Sequence, residues 1–256
     1  MTSPETPEPR RRALLLRLDT YDLRARILPA LIVAAPAVAL AVTLQLDLTG
    51  AHRLWSLIGI AVWPLVTAVT RRLGAAAQPG LWASWDGAPT THRLRWATGP
   101  PSVISARHAE IHRVLGNRVG LPAAAEETSD PGRADAVYAD VARRLFGLTR
   151  NDQRFALLHR ENANYGFARN LYGARHVGLF VSAATLVLAL SVGIFITVIR
   201  DAAAAASLLL PTLLSIGALA GWTRLVTSAL VRPPADALAD RLLEALQTLA
   251  DDQPDT

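Results

Sequence analysis

Apolar residues along this chain gather into four runs, each free of charge over nearly the thickness of a bilayer. They form two close pairs on either side of a polar stretch of about a hundred residues. The hydrocarbon core is roughly 30 Å thick and a helix rises 1.5 Å per residue, so about 20 apolar residues cross it. Residues 27–46, 54–70, 177–199 and 202–223 meet or nearly meet that length. The second run is shortest and spans if Arg53 and Arg71 snorkel into the two headgroup layers. The pattern predicts an all-α membrane protein with four transmembrane helices in two hairpins and a mainly helical cytoplasmic insert. The parts are a tail with a possible interfacial helix (1–26), a first hairpin (27–72), the insert (73–176), a second hairpin (177–224) and a C-terminal amphipathic helix with its tail (225–256).

Orientation follows from the arginines, because short loops rich in basic residues stay cytoplasmic. Arg10, Arg11, Arg12, Arg17, Arg24 and Arg26 precede the first run, Arg71 and Arg72 follow the second, Arg175 precedes the third, and Arg224 and Arg232 follow the fourth. The short connections hold only His52 with Arg53 and Arg200 with Asp201. Both termini and the insert are therefore expected on the cytoplasmic side of a bacterial inner membrane. A cleaved signal peptide is the competing reading of the N-terminus, but the first run is long for one and a second follows at once. Residues 1–9, with three prolines and two glutamates, read as a disordered tail.

Composition adjusts this picture only slightly. The chain is 51% hydrophobic and 18% charged, off the profile of an ordinary soluble domain. It has no cysteine, which excludes disulfides, Cys-ligated metal centres and thiol catalysis. The net charge is +5 and every basic residue is arginine, read as a GC-rich coding bias, with nucleic-acid binding not implied. None of the four runs holds an ionisable residue, which counts against proton-coupled transport. Gly217 and Gly221 form a Gly-xxx-Gly pair that lets a helix approach closely, within the monomer or between subunits of an oligomer. After a stop at Pro233 and Pro234, residues 235–249 put Leu238, Leu242, Ala245, Leu246 and Leu249 at helical spacing, for docking on the insert or on the membrane surface.

Within the insert, residues 73–101 read as an ordered loop anchored by Trp82, Trp85 and Trp96. Ser102 is the expected N-cap of a helix ending near Leu115. A turn at Asp130 and Pro131 precedes a helix over 134–148, and Asp152 begins a helix reaching the third span. On that last helix Phe155, Leu158, Asn162, Tyr165, Arg169 and Tyr172 share one stripe, which starts apolar and becomes polar. Glu161 and Arg169 flank Tyr165, roughly 12 Å apart along the axis, too far for a pair without something between them. Two readings stand. The stripe is a polar cluster fixing the insert to the membrane boundary, with Gly166 allowing close approach. Alternatively Glu161, Asn162, Asn164, Tyr165 and Arg169, with Asp86, Thr90 and Thr91, form a sensor pocket for a small anionic ligand or nucleotide.

His108 and His112, spaced four apart, lack a third metal ligand and read as an ordinary surface pair, so no metal or cofactor is expected. There is no phosphate-binding glycine loop, nucleophile elbow or dinucleotide fingerprint, hence no enzymatic signature. The strings Trp85-Asp86-Gly87-Ala88-Pro89-Thr90-Thr91 and Glu161 to Leu171 resemble a group of uncharacterised bacterial membrane proteins. Their insert reads approximately Trp-Gly-Gly-x-Pro-Thr-Thr and then Glu-Asn-x-x-Tyr-Gly-Phe-Arg-Arg-Asn-Leu, from which Asp86 and Ala168 depart. The resemblance covers residues 81–173 and implies the same four-span architecture and a link with anti-phage systems as membrane effectors. The leading expectation is thus an oligomeric effector that permeabilises the membrane on a signal. A membrane anchor recruiting a soluble partner through residues 82–98 or the C-terminal helix is the alternative.

Overall fold

The computed structural model describes residues 23–47, 52–150 and 153–252, and every regular element among them is helical. A π-helical turn, Leu23–Ile27, runs into α1 (Leu28–Asp47), and α2 (His52–Ser84) follows. The short α3 (Pro89–His92) and a 3-10 turn, Trp96–Thr98, lead to α4 (Pro101–Leu115), α5 (Ala124–Ser129) and α6 (Pro131–Thr149). The chain continues through α7 (Ala156–Gly173), α8 (Arg175–Ile199), the short α9 (Ala202–Ala205) and α10 (Leu209–Arg224), and ends in α11 (Ser228–Asp251).

Among the described residues, three helical stretches are long and apolar enough to cross a membrane: Leu23–Leu44, Arg175–Ile199 and Ala206–Arg224. They match the first, third and fourth predicted runs, and they pack on one another as a thin apolar layer. Leu40, Ala189 and Leu208 make one small core, and Val33, Leu171, Ala174, Trp222 and Val226 another near the polar end. Only 17% of the apolar window of α8 is buried, and Phe180 and Val198 stand 73% and 79% exposed. Such a surface suits hydrocarbon rather than water. Polar side chains here satisfy themselves within their own helix. Ser182 donates to the Gly178 carbonyl (2.7 Å), Thr197 to Gly193 (2.8 Å) and Ser215 to Pro211 (2.7 Å), the arrangement a helix in lipid requires. Pro211 is the third residue of α10, where its missing N–H has no intrahelical acceptor to lose.

The second predicted run, 54–70, is the front half of α2, whose side chains are described from Trp63 onward. Leu65 and Val69 are exposed there, like the other apolar helices. The helix does not stop at Arg72. It continues through Pro79 to Ser84, so residues 73–84, expected as a loop, are helical. Leu81, 2% exposed, explains the extension, because it enters the core of the polar domain and ties the end of α2 to it.

That domain is built from the end of α2, α3 to α7 and α11. Tyr138, Val141, Leu145, Ile111, Leu242 and Leu246 are at most 1–2% exposed in one continuous core. The C-terminal helix therefore docks on the domain, packing most extensively on α7 and also on α3, α4 and α6. Pro233 and Pro234 do not stop it; α11 starts at Ser228 and runs through them. Val231 before the prolines and Ala235 after them are both buried, and that packing holds the helix together across two missing N–H groups. Ser102 is not the cap of α4, whose first turn is set by Pro100 and Pro101. Asp130 is instead the N-cap of α6, accepting from the Arg133 N–H at 3.0 Å, so α6 begins three residues before the expected Ala134. The expected helix start at Asp152 and the N-terminal tail lie outside the described residues.

Candidate functional site

The two layers meet where α2 crosses α7, and at the crossing each helix presents a glycine to the other. A Cβ at Gly74 would stand 2.6 Å from Asn170 Cα, and a Cβ at Gly173 would stand 2.5 Å from Gly74 N and Leu73 C. Backbone meets backbone, which no larger residue permits. Asn170, 1% exposed, locks the same point: its Nδ2 donates to the Ala25 carbonyl (2.7 Å) and its Oδ1 accepts from Arg169 Nη2 (3.3 Å). One buried amide thus joins the N-terminal segment to α7 against α2.

Arg169 turns from Asn170 toward α2, where Nη1 donates to Gln78 Oε1 at 2.6 Å, and its guanidinium lies 5.7 Å from the Tyr165 ring centre. Here the polar accounts do not close. Arg169 Nε, the Tyr165 hydroxyl and Trp82 Nε1 are the buried side-chain atoms without a hydrogen-bond partner among the described residues. Buried polar groups are nearly always paired, so three at one crossing mark it as unusual. Trp82 is a polar neighbour of the Tyr165 hydroxyl, which burial raises above its ordinary pKa while the Arg169 charge opposes the rise.

The other expected site residues lie elsewhere. Glu161 Oε2 accepts from Asn164 Nδ2 at 3.0 Å, while Arg169 bonds Gln78 and Asn170. Asn162 borders a separate cavity of about 360 Å3 with Arg143, Arg150 and His159. Asp86 is exposed at the end of α2 with φ of 61° and pairs with Arg95 at 2.8 Å, and Arg95 Nε also bonds Asp135 (2.8 Å). Pairing with Asp135 raises the Arg95 pKa, holding it charged. At this left-handed position glycine is relaxed and aspartate is strained, so the salt bridge holds Asp86 in place. Thr91 is buried and Thr90 half-buried on α3, which packs chiefly on α6 and α11. The eight residues thus split into separate places, with Tyr165 and Arg169 alone at the crossing.

Gly166 is buried in α7, and Gly74 and Gly173 make a close approach between α2 and α7. Gly217 and Gly221 have no described atom within 4 Å of an added Cβ; in this layer Gly178 makes a close contact, against the Trp222 indole. His108 is not a surface residue. It is 6% exposed, its Nε2 lies 2.9 Å from the Leu94 carbonyl, and its ring stands edge-on to Trp96 at 4.9 Å. Beside it Glu127, also buried, accepts from the Trp96 N–H (3.0 Å), the Ala97 N–H (3.2 Å) and the Tyr138 hydroxyl (2.6 Å). Burial and that last bond push the Tyr138 pKa up. Every acceptor bond of this carboxylate staples the turn before α4 to α5 and α6, a structural role.

Sequence reasoning named Tyr165 and Arg169 but missed Asn170, Gln78, Gly74 and Gly173. Asn170 sits inside the singled-out string yet off its stripe, and the two glycines are too far apart in the chain for any periodicity to link them. Compared with protein-family models, curated proteins and solved structures, the chain matches none of them.

Proposed function

We propose that this chain is a four-span inner-membrane protein whose polar domain lies in the cytoplasm, receives a signal and repacks the membrane helices, making the bilayer leaky. Growth arrest of a phage-infected bacterium is the setting in which such an effector serves. The reading is supported by one observation above all. Both described helical links that lead out of the apolar layer near the crossing, α2 and α7 with α8, run into the polar domain with at most a one-residue break at Ala174. A change in domain packing therefore moves membrane helices directly. The unpaired Arg169, Tyr165 and Trp82 atoms at that joint leave polar valence for a second arrangement.

The exposed Gly217 and half-buried Gly221, open to close approach by another helix, support assembly of several copies, which four helices need to conduct. Dye entry and membrane potential, followed in cells over a range of expression and phage challenge, test the proposal. Leak that follows the trigger, and that is lost in a folded Arg169→Gln variant, is the expected result. Unchanged permeability in every state, with one stoichiometric soluble partner co-purifying, replaces the effector with the anchor reading.

A further inference from the structure

A cavity of about 580 Å3 opens at the crossing, lined by Arg26, Arg71, Arg72, Arg169 and Asn170 and otherwise by alanine methyls. Three separate elements deliver the charge: the turn before α1, the middle of α2, and the end of α7. No carboxylate among the described residues lines it. Among the described residues Arg71 and Arg72 make no ion pair, whereas elsewhere in the polar domain Arg93 pairs with Asp236 and Asp240, Arg95 with Asp86 and Asp135, and Arg144 with Asp140. Arg71 and Arg72 follow the apolar run 54–70 directly, and Arg26 precedes the first one, so the cavity stands at the level where a hydrocarbon core gives way to headgroups. Guanidinium groups gathered in one concavity repel each other until an anion joins them, and their forks match phosphate oxygens.

We propose that this arginine-lined cavity binds a phosphate group, either the headgroup of an anionic phospholipid or a free phosphate ester. Arg71 and Arg72 grip the phosphate oxygens, and the Arg169 guanidinium, held by Gln78 and Asn170, adds positive charge at the wall. Asn170 holds the wall in shape through Ala25. Binding then clamps α2, α7 and the N-terminal segment together. The lipid source rests on the membrane placement of α2, whereas the free ester does not, and neither depends on leak.

The test uses the full chain in detergent, stripped of native lipid, with phosphatidylglycerol in mixed micelles as one probe and ATP in the aqueous phase as the other. Basic residues near an anionic surface each contribute about fivefold, so Arg71→Gln/Arg72→Gln is expected to weaken the bound probe about thirtyfold. Arg113→Gln/Arg133→Gln, which removes equal charge from exposed positions on α4 and α6, is the control and is expected to change binding less than about twofold. Loss confined to phosphatidylglycerol assigns a lipid headgroup, and loss confined to ATP assigns a free ester. Circular dichroism and elution volume report folding; should the double variant misfold, exposed Arg72→Gln alone is expected to cost about fivefold. Equal binding of both probes by wild type and folded cavity variants, or equal loss in the control, overturns the site. Leak is not read, so such a failure leaves the effector proposal standing.

Discussion

The apolar layer and the polar domain are both helical, yet they are held together by different means. In the polar domain the largest side chains vanish from the surface: Tyr138, Ile111, Leu246 and Val141 are all 0% exposed. In the apolar layer small residues such as Ala189 and Ser182 are buried beside a few large ones, Leu40, Leu208 and Trp222, while Phe180, Phe195, Val198 and Leu213 point outward with 64% or more of their surface free. One region buries its bulk against itself, and the other leaves its bulk for a surrounding that is already apolar. Without a hydrophobic drive between helices, small residues and close contact do the joining. The crossing of α2 and α7 belongs to neither pattern, since it combines a glycine contact with buried polar groups.

The strongest way to break this contrast is at the crossing. Gly74→Leu forces a side chain into Asn170, and no rotamer avoids the backbone beneath it. Loss of folded protein, or destabilisation by more than about 3 kcal/mol, is expected in thermal unfolding of the detergent-solubilised chain. Gly217→Leu, with no described atom within 4 Å, is expected to stay within about 0.5 kcal/mol and to alter only cross-linking between copies. Equal damage from both would remove the distinction between the joint and the open face.

Next in size is a pair of truncations. Leu242 is 2% exposed in the domain core and Val198 is 79% exposed on α8. Leu242→Ala is expected to cost about 2–5 kcal/mol, as buried leucines do. Val198→Ala is expected to cost less than about 0.5 kcal/mol in detergent. A large loss from Val198→Ala would mean that the face of α8 is covered by another copy.

Much of this division was legible in the chain, for physical reasons. Charge-free runs announce helices for lipid regardless of their neighbours, and Leu238, Leu242 and Leu246 at helical spacing announced a buried stripe on α11. What was not legible depends on contacts between distant residues. Pro233 and Pro234 read as a stop because a proline removes a local bond, but Val231 and Ala235 are buried beside them and carry the helix through, as buried Leu81 does for α2 beyond Pro79. The His108 and His112 spacing was read as a surface pair, since nothing local shows that Trp96 and Tyr138 close over the first ring. The candidate site shared this limit. Its stripe was visible, but Gln78, Gly74 and Ala25 reach it only through the fold.

A smaller effect sharpens the view of the crossing itself. The Tyr165 hydroxyl is buried with Trp82 as its polar neighbour, so Tyr165→Phe removes a desolvated group and at most one weak hydrogen bond. Stability is expected to stay level or to rise by up to about 1 kcal/mol in denaturant melts. A loss of more than about 1 kcal/mol would mean that the hydroxyl is satisfied in solution. If the hydroxyl serves a signal, the same variant stays folded and loses the leak response.

The smallest expected effect concerns pH and belongs to the polar domain alone. His108 is held neutral, its pKa lowered by burial, with the Leu94 carbonyl and the charge of Glu127 opposing the shift and His112 adding slightly to it. Because a backbone carbonyl accepts at Nε2, that nitrogen carries the proton and Nδ1 is bare. The unfolded chain takes up a proton near the ordinary value of about 6.5, while the folded chain resists until lower pH. Between those two values the unfolded state binds more protons, so stability falls as pH falls below about 6.5 and is unaffected above it. Thermal melts from neutral to mildly acid pH are expected to show this decline in the wild type. His108→Gln keeps an amide donor for the Leu94 carbonyl and cannot titrate, so its melts are expected to decline less over the same window. An identical slope in both proteins would mean that other groups carry the decline; the half-buried Glu110 is not one of them, because burial raises its pKa and its own contribution grows as pH falls.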